Sequence, residues 1–517
     1  MTAPLLALDG LSVAIQGRPI LRDVSLRVCA GEVVGLVGES GSGKSMTALA
    51  AIGLLPQGAR TEGAIRLDGQ DLAGAPERRW LAVRGREVAM VFQEPMTALN
   101  PVHPIGRQVS ETLRLAGTPR DEAARIARER LDRVGLARIA ADRYPHELSG
   151  GQRQRVCIAL AIARRPRLLI SDEPTTALDV TTQAEILALL SGLVREEGMA
   201  MLLITHDLGV VARTADRVAV MQEGRVVEAG PTETLFRRRA HPYTRALLDA
   251  SVPAARGEAP ERGEPVLEAR GVTRLYGALR AVDDVSFTLH RGQSLGLVGE
   301  SGCGKSTLTR ALLGLEPVQG GEVALMGRPG GAAMRRADRA RISVVFQDPY
   351  GSFDPRWTVR RILREPFHLT GRPPDAERRA AAALEQVGLA PDALDRYPHA
   401  FSGGQRQRIA IARALITDPD VVVLDEAVSA LDVRVRAQVL ALLAALQGRL
   451  RLSYLFITHD LGVVRAVCDD VLVMRGGRIV ERGTVAEVLD APREDYTRRL
   501  VAAAPRVPAD WLAEEAR

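Results

Sequence analysis

Two nearly identical glycine-rich strings hold the only lysines of the chain, Lys44 in GESGSGKS and Lys305 in GESGCGKS. Each string follows a short apolar run and precedes a helix-like segment. In that setting the glycines let backbone N–H groups turn toward an anion, and the lysine reaches the β- and γ-phosphates of a nucleotide. The spacing predicts two phosphate loops. Their residues are Gly38, Glu39, Ser40, Gly41, Ser42, Gly43, Lys44 and Ser45, and Gly299, Glu300, Ser301, Gly302, Cys303, Gly304, Lys305, Ser306 and Thr307.

The choice of lysine at these two positions is itself informative, because Lys and Arg together number 69 in this chain. A compact ammonium fits between phosphate oxygens, whereas a planar guanidinium is wider and prefers forked partners. We interpret the retention of Lys44 and Lys305 as a steric demand of phosphate binding.

An acidic pair ends an apolar run in each half of the chain, LLISDE and VVVLDE. Asp172 and Asp425 are placed to hold Mg²⁺, and Glu173 and Glu426 to polarise an attacking water. The alternative is a buried acidic pair that only balances arginine. With the loop serines and two glutamines, the predicted magnesium ligands are Ser45, Gln93 and Asp172, and Ser306, Gln347 and Asp425.

Two histidines follow these glutamates at equal distance. His206 and His459 each lie 33 residues beyond Glu173 and Glu426, in the same THD context after an apolar run. A lone histidine is usually structural, but this repetition favours a γ-phosphate sensor. The catalytic residues predicted are therefore Glu173, Glu426, His206 and His459.

A serine followed by two glycines opens an arginine-rich helix twice, in LSGGQ and FSGGQ. Such a helix start binds anions. One phosphate chain does not need two anion sites within one domain. We therefore interpret the serine-glycine site of each copy as binding the nucleotide held by the other copy. The residues are Ser149, Gly150 and Gly151, and Ser402, Gly403 and Gly404.

The chain is a duplicated domain, because the serine-glycine, acidic and histidine motifs all recur 253 residues later. Apolar runs at 33–38 and 294–299 predict strands, and the stretches 121–135 and 374–388 predict amphipathic helices. A Pro- and Gly-rich stretch between the copies indicates a linker. The predicted domains are 1–240, an extension with linker at 241–265, 266–490, and a second extension at 491–517.

The composition of the chain limits the kinds of partner and ligand that we expect it to bind. The net charge of +6 comes from arginines scattered among acids, which argues against nucleic-acid binding. The four cysteines form no CxxC pair, which disfavours zinc and disulfides. The N-terminus lacks the features of a signal peptide, and no apolar run approaches the roughly 18–20 residues that span a bilayer. We expect any membrane role to come through partners.

The whole motif set resembles ATP-binding cassette (ABC) ATPases. RYPHELSGGQRQR, FQEPMTALNP and HPYTRALLDASVP are similar to segments of the ATPase subunits of dipeptide, oligopeptide, glutathione and nickel importers. This resemblance implies an α/β fold with two P-loop nucleotide-binding domains. Each has a RecA-like core, an antiparallel β subdomain and a helical signature subdomain. It also implies that ATP and Mg²⁺ bind between paired halves, with Asp179 and Asp432 crossing the interface.

The resemblance further implies partners and a location. The partners are two integral-membrane permeases, which the residues around Gln93 and Gln347 would sense, and a separate solute-binding protein. The location is peripheral attachment at the cytoplasmic face of the inner membrane. Di- or oligopeptide import is the first interpretation, with nickel or another small solute as an alternative. A soluble tandem ATPase acting on ribosomes or DNA is a rival, as is export.

The two halves depart from the family pattern in different places. Tyr276 fits the aromatic residue that stacks on adenine, but its counterpart in the first copy is Ile15, which predicts weaker stacking there. Met46 stands where the second copy has Thr307, and Ala427 replaces the proline of the DEP string. The second extension, REDYTRRL, lacks the His-Pro pair of the first.

Overall fold

The computed structural model describes residues 3–176, 178–252, 256, 262–348, 351–429 and 431–512, without the side chains at 95 and 96. Most of the predicted linker and the last five residues of the predicted second extension lie outside the described residues. The chain divides into two compact units. Unit 1 comprises Met1–Leu178, Thr182–Ser251 and Pro505–Arg517, and unit 2 comprises Asp179–Thr181 and Val252–Ala504. The boundaries at 240, 265 and 490 follow motifs rather than contacts and stay a prediction.

Unit 1 contains two sheets. The first is antiparallel, in the order β2-β1-β4-β5, and the second has the order β10-β9-β3-β8-β7-β6. In the second sheet only the edge strand β10 is antiparallel to its neighbour. The strands are β1 (Pro4–Ile15), β2 (Arg18–Cys29), β3 (Val33–Val37), β4 (Ala59–Leu67), β5 (Gln70–Asp71), β6 (Val88–Val91), β7 (Leu168–Asp172), β8 (Ala200–Ile204), β9 (Arg217–Gln222) and β10 (Arg225–Pro231).

The central strand β3 shows why continuous apolar runs form this sheet. All five of its residues are buried. Val34 and Leu36 pack into the cluster shared with the antiparallel sheet, whereas Val33 and Val37 face the cluster formed with the helices. A parallel strand covered on both faces needs apolar residues at every position. The helices are α1 (Lys44–Ala51), α2 (Glu77–Val83), α3 (Pro95–Ala98), α4 (Ile105–Leu115), α5 (Arg120–Arg133), α6 (Gly150–Ala161), α7 (Val180–Glu197), α8 (Leu208–Thr214), α9 (Thr232–Arg238) and α10 (Pro242–Ser251).

Unit 2 repeats this architecture, with sheets β12-β11-β14-β15 and β16-β17-β18-β13-β19-β20. Its strands are β11 (Pro265–Tyr276), β12 (Leu279–His290), β13 (Ser294–Val298), β14 (Gly320–Leu325), β15 (Arg328–Pro329), β16 (Ile342–Val345), β17 (Val421–Asp425), β18 (Ser453–Ile457), β19 (Asp470–Arg475) and β20 (Arg478–Thr484). Its helices are α11 (Lys305–Leu312), α12 (Arg336–Arg339), α13 (Val359–Arg364), α14 (Ala376–Gln386), α15 (Gly403–Leu415), α16 (Val433–Leu450), α17 (Leu461–Val467), α18 (Val485–Asp490) and α19 (Asp495–Ala503). The predicted α/β fold, with two repeated nucleotide-binding domains, is confirmed.

The last described segment of the chain packs in unit 1, although it follows the second copy in sequence. Helix α20 (Ala509–Leu512) lies against α9. Phe236 meets Trp511 edge to face, with ring centroids 6.2 Å apart. Arg237 donates to both the backbone oxygen and the carboxylate of Asp510. The core of unit 1 is therefore completed from the C-terminal part of the chain.

Among the described residues, no helix has both the length and the apolar character that crossing a membrane requires.

Candidate nucleotide-binding and catalytic sites

The first phosphate loop connects β3 to α1. Gly38 and Gly43 have φ of 155° and 104°. A Cβ at Gly38 would lie 2.3 Å from the backbone oxygen of Met221, so the loop requires glycine there. Lys44 is buried, and its Nζ donates to the backbone oxygens of Gly38 at 2.8 Å and Glu39 at 2.9 Å. The ammonium is thus fixed above the loop.

The second phosphate loop has the same geometry between β13 and α11. Gly299 and Gly304 have φ of 156° and 111°. Lys305 Nζ donates to the backbone oxygens of Gly299 at 2.7 Å and Glu300 at 2.8 Å. The structure therefore brings every residue of the two predicted loops into the expected strand–loop–helix setting.

Asp172 ends β7 beside the first loop and is almost fully buried. Burial raises the pKa of its carboxyl; the hydrogen bond from Ser45 and the charge of Lys44 lower it, while Glu173 raises it. Its Oδ1 is buried and finds no hydrogen-bond partner among the described residues. An unpartnered carboxylate oxygen next to a hydroxyl is an arrangement that fits a hard cation such as Mg²⁺. In unit 2, burial and Glu426 likewise raise the pKa of Asp425.

Glu173 is held by several side chains at once. Its Oε2 accepts from Gln93 Nε2 at 3.0 Å and from Thr176 Oγ1 at 2.9 Å, and its Oε1 lies 3.2 Å from His206 Nδ1. Burial alone would raise the pKa of Glu173, but the hydrogen bonds from His206 and Thr176 and the charges of His206 and Lys44 bring it below its ordinary value. The carboxylate is therefore ionised and oriented.

Both predicted bases occupy a strained backbone. Glu173 and Glu426 have φ of 47° and 49°, a left-handed region that residues other than glycine seldom adopt. Their N–H groups donate at 2.8 Å to the oxygens of Ile204 and Ile457, the last residues of the neighbouring strands. Strain of this kind concentrates at functional sites.

Among the residues that the structure describes, Glu426 has fewer hydrogen-bond donors than Glu173. His459 Nδ1 lies 3.3 Å from Glu426 Oε1. Burial lowers the pKa of His459. The hydrogen bond to Glu426 and the negative charge of Glu426 outweigh burial, so the pKa of His459 lies above its ordinary value. Ser429, the counterpart of Thr176, donates to the backbone oxygen of Glu426 at 2.9 Å instead of its carboxylate. In the described part of the chain, Gln347 makes no hydrogen bond corresponding to that of Gln93.

Thr176 should matter for turnover at the first site, where sequence reasoning assigned it no role. In a chain that already carries Glu426→Gln, Thr176→Val should lower the kcat for ATP by about three- to tenfold, because one hydrogen bond to the base is lost. Thr176→Ser should restore it. The matched variant Ser429→Ala in a Glu173→Gln chain should stay within about twofold of its parent. Equal losses at both positions would contradict this assignment.

The serines of the two SGGQ motifs, here called the signature motifs, cap two helices. Ser149 is the N-cap of α6; its Oγ accepts from the N–H of Gln152, and Gln152 Oε1 accepts from the N–H of Ser149. Ser402 and Gln405 repeat this capping box at α15. The sequence prediction named the serines but not the glutamines that lock them.

The adenine-stacking candidates differ as the sequence indicates. Tyr276 ends β11 with its hydroxyl bonded to Glu316, and the guanidinium of Arg274 lies 4.6 Å from its ring centroid. Ile15 ends β1 and packs against the apolar cluster of the antiparallel sheet.

Each phosphate loop also contacts a tyrosine that sequence reasoning missed. The N–H of Glu39 donates to Tyr243 Oη at 3.1 Å, and the N–H of Glu300 donates to Tyr496 Oη at 3.0 Å. The signal was present, because the string YTR occurs at 243–245 and again 253 residues later.

Comparison with known families matches this geometry. A family model described as ABC transporter matches residues 21–176 and again 282–429. The chain belongs to the ABC transporter family. A second model, described as the C-terminal region of oligopeptide/dipeptide transporters, matches residues 227–272 and 480–517 of this ABC protein.

Relatives of this ABC protein align along nearly its whole length. It is 48% identical to a peptidoglycan transport ATP-binding protein YejF of Agrobacterium fabrum over 98% of each chain. It is 45% identical to a glutathione import ATP-binding protein GsiA of Escherichia coli over 97% of this chain and 89% of that one. The resemblance to transporter ATP-binding proteins stated from the sequence is confirmed, and the protein is an ATPase.

A solved structure shares the fold. An archaeal ribosome recycling factor, crystallised with a ribosomal stalk protein, superimposes with a TM-score of 0.63 at 24% identity, covering 90% of this chain and 88% of that chain. This likeness concerns the fold alone.

Proposed function

We propose that this ABC ATPase is the energy-coupling subunit of an importer for di- or oligopeptides. The carrying observation is that the C-terminal region of oligopeptide/dipeptide transporters matches both copies, each of which also matches the ABC transporter model. The named relatives transport peptidoglycan and glutathione, and both of these contain peptide.

The contacts described above support the roles proposed for each site. Lys44 and Lys305 neutralise the β- and γ-phosphates, Glu173 and Glu426 orient the attacking water, and His206 with its counterpart His459 faces the γ-phosphate. The residues that would hold Mg²⁺ are Ser45, Gln93 and Asp172, and Ser306, Gln347 and Asp425. The ion, when bound, neutralises charge on the phosphates.

Each nucleotide is proposed to be completed by the signature helix of the other half. The N-termini of α6 and α15 present the N–H groups of their paired glycines, which suit a phosphate. Asp179–Thr181, from the first copy, clusters with unit 2, where Thr181 Oγ1 donates to Glu300 Oε1 at 2.6 Å.

The partners proposed are two integral-membrane permeases and a separate solute-binding protein, with the ATPase attached at the cytoplasmic face. Affinity purification from solubilised membranes should recover two multispanning proteins. Cells lacking the chain should lose uptake of a labelled tripeptide, and the wild type should restore it where Glu173→Gln with Glu426→Gln does not. Recovery of ribosomes or DNA without permeases would favour the soluble rival and overturn this function.

The difference between Tyr276 and Ile15 gives a nucleotide-affinity prediction. Tyr276→Ile should weaken ATP binding at the second site, and Ile15→Tyr should strengthen it at the first, each by about two- to tenfold, because one base stack is worth about 0.5–1.5 kcal/mol. Calorimetric titration measures both sites. Inorganic triphosphate has no base, so its affinity should not change; an equal change for triphosphate would contradict stacking.

A further inference from the structure

Two buried tyrosines outside the recognised motifs contact the phosphate loops. Tyr243 lies in α10 and Tyr496 in α19, and both are at most 6% exposed. Their hydroxyl oxygens accept the N–H groups of Glu39 and Glu300 at 3.1 Å and 3.0 Å. The same contact is present in each copy, so it is a common feature of the repeated domain.

The tyrosine and the lysine hold opposite ends of one peptide group. The N–H of Glu39 and the C=O of Gly38 belong to the same planar peptide, on which they point in opposite directions. The N–H side donates to Tyr243, and the C=O side accepts from Lys44 Nζ at 2.8 Å. The phenol therefore fixes the plane that presents a carbonyl to the lysine.

Unit 2 has the same relay. The N–H of Glu300 donates to Tyr496, and the C=O of Gly299 accepts from Lys305 Nζ at 2.7 Å. The guanidinium of Arg475 lies 5.1 Å from the Tyr496 ring centroid and holds the ring further. Loss of the hydroxyl would leave a loop N–H without its acceptor and release the peptide plane.

The start of each tyrosine helix is fixed by a glutamate of the edge strand. Glu228 accepts the N–H groups of Ala240 and His241, each at 3.2 Å. Glu481 accepts those of Arg493 and Glu494 at 2.7 Å and 3.2 Å. The second copy has no His-Pro pair, yet its tyrosine contacts the phosphate loop. The glutamate and the tyrosine, which both copies have, are therefore sufficient for this contact.

We propose that Tyr243 and Tyr496 are positioning residues for the two phosphate loops, supplied by helices α10 and α19 of the C-terminal extensions. Helix α10 also packs on α8, which begins two residues after His206. The first extension thus touches two parts of its nucleotide site, and its tyrosine sets the loop in the geometry that receives ATP.

The test replaces each tyrosine by phenylalanine, which keeps the ring and removes only the hydroxyl. Tyr243→Phe and Tyr496→Phe should each raise the Kd for ATP at its own site by about three- to tenfold. The KM should rise similarly while kcat changes less than about twofold. Amide hydrogen exchange should increase in peptides covering 38–45 for the first variant and 299–306 for the second, which assigns each effect to one loop.

The matched control is Tyr454→Phe. Tyr454 is buried in the core of unit 2, and its hydroxyl donates to the backbone oxygen of Leu443 at 3.0 Å, away from the nucleotide site. This variant should lower the melting temperature without changing ATP affinity or loop exchange. If the Tyr243 and Tyr496 variants behave as Tyr454→Phe does, the proposal is overturned, and an effect at only one loop overturns it for the other.

Discussion

A chain carrying both Glu173→Gln and Glu426→Gln should hydrolyse ATP at least about 100-fold more slowly than the wild type and still bind it. General-base catalysis contributes about 10²- to 10⁴-fold, and the amide that replaces each carboxylate cannot take a proton from water. The phosphate loops are untouched by these changes. Phosphate release measures turnover, and equilibrium binding of labelled ATP measures retention.

The control makes the same chemical change away from the sites. Glu129 and Glu385 lie exposed on α5 and α14, so Glu129→Gln with Glu385→Gln should hydrolyse ATP like the wild type. Turnover near the wild-type rate in the double Glu173 and Glu426 variant would refute both as bases.

The double variant Lys44→Arg with Lys305→Arg should bind ATP about 10- to 100-fold more weakly, although no charge is lost. Each ammonium fits between two backbone oxygens less than 3 Å away. A guanidinium is planar and wider, so it cannot keep those contacts and reach the phosphates, and a hydrogen bond to a charged group is worth about 1.5–3 kcal/mol.

Equilibrium binding of ATP measures this loss. The reverse exchange at exposed helix positions, Arg125→Lys with Arg378→Lys, should leave the affinity unchanged. Wild-type affinity in the arginine variants would mean that geometry is not what keeps lysine at 44 and 305 in a chain otherwise built with arginine.

The sequence predicted the parts of the fold and site whose physics is local. Apolar runs that end in glycine or a carboxylate became β3, β7, β13 and β17, because a buried parallel strand requires them at every position. The serine at each signature became a helix N-cap for the same local reason.

What sequence reasoning missed depends on contacts between distant residues. Tyr243 is 204 residues from Glu39, and neither residue type alone suggests a partner. Thr176 and Ser429 both carry a hydroxyl, but one donates to the carboxylate and the other to a backbone oxygen. Such choices are made by the backbone around them, which local sequence does not specify.

The docking of α20 on α9 changes how truncations within the second extension should be understood. A truncation after Ala504 removes the described residues 505–512 from unit 1, so Phe236 loses the ring of Trp511 and Arg237 loses Asp510. Truncation at the C-terminal side of the second copy should therefore lower the thermal stability of unit 1. Expression of the N-terminal half alone should include residues 505–512.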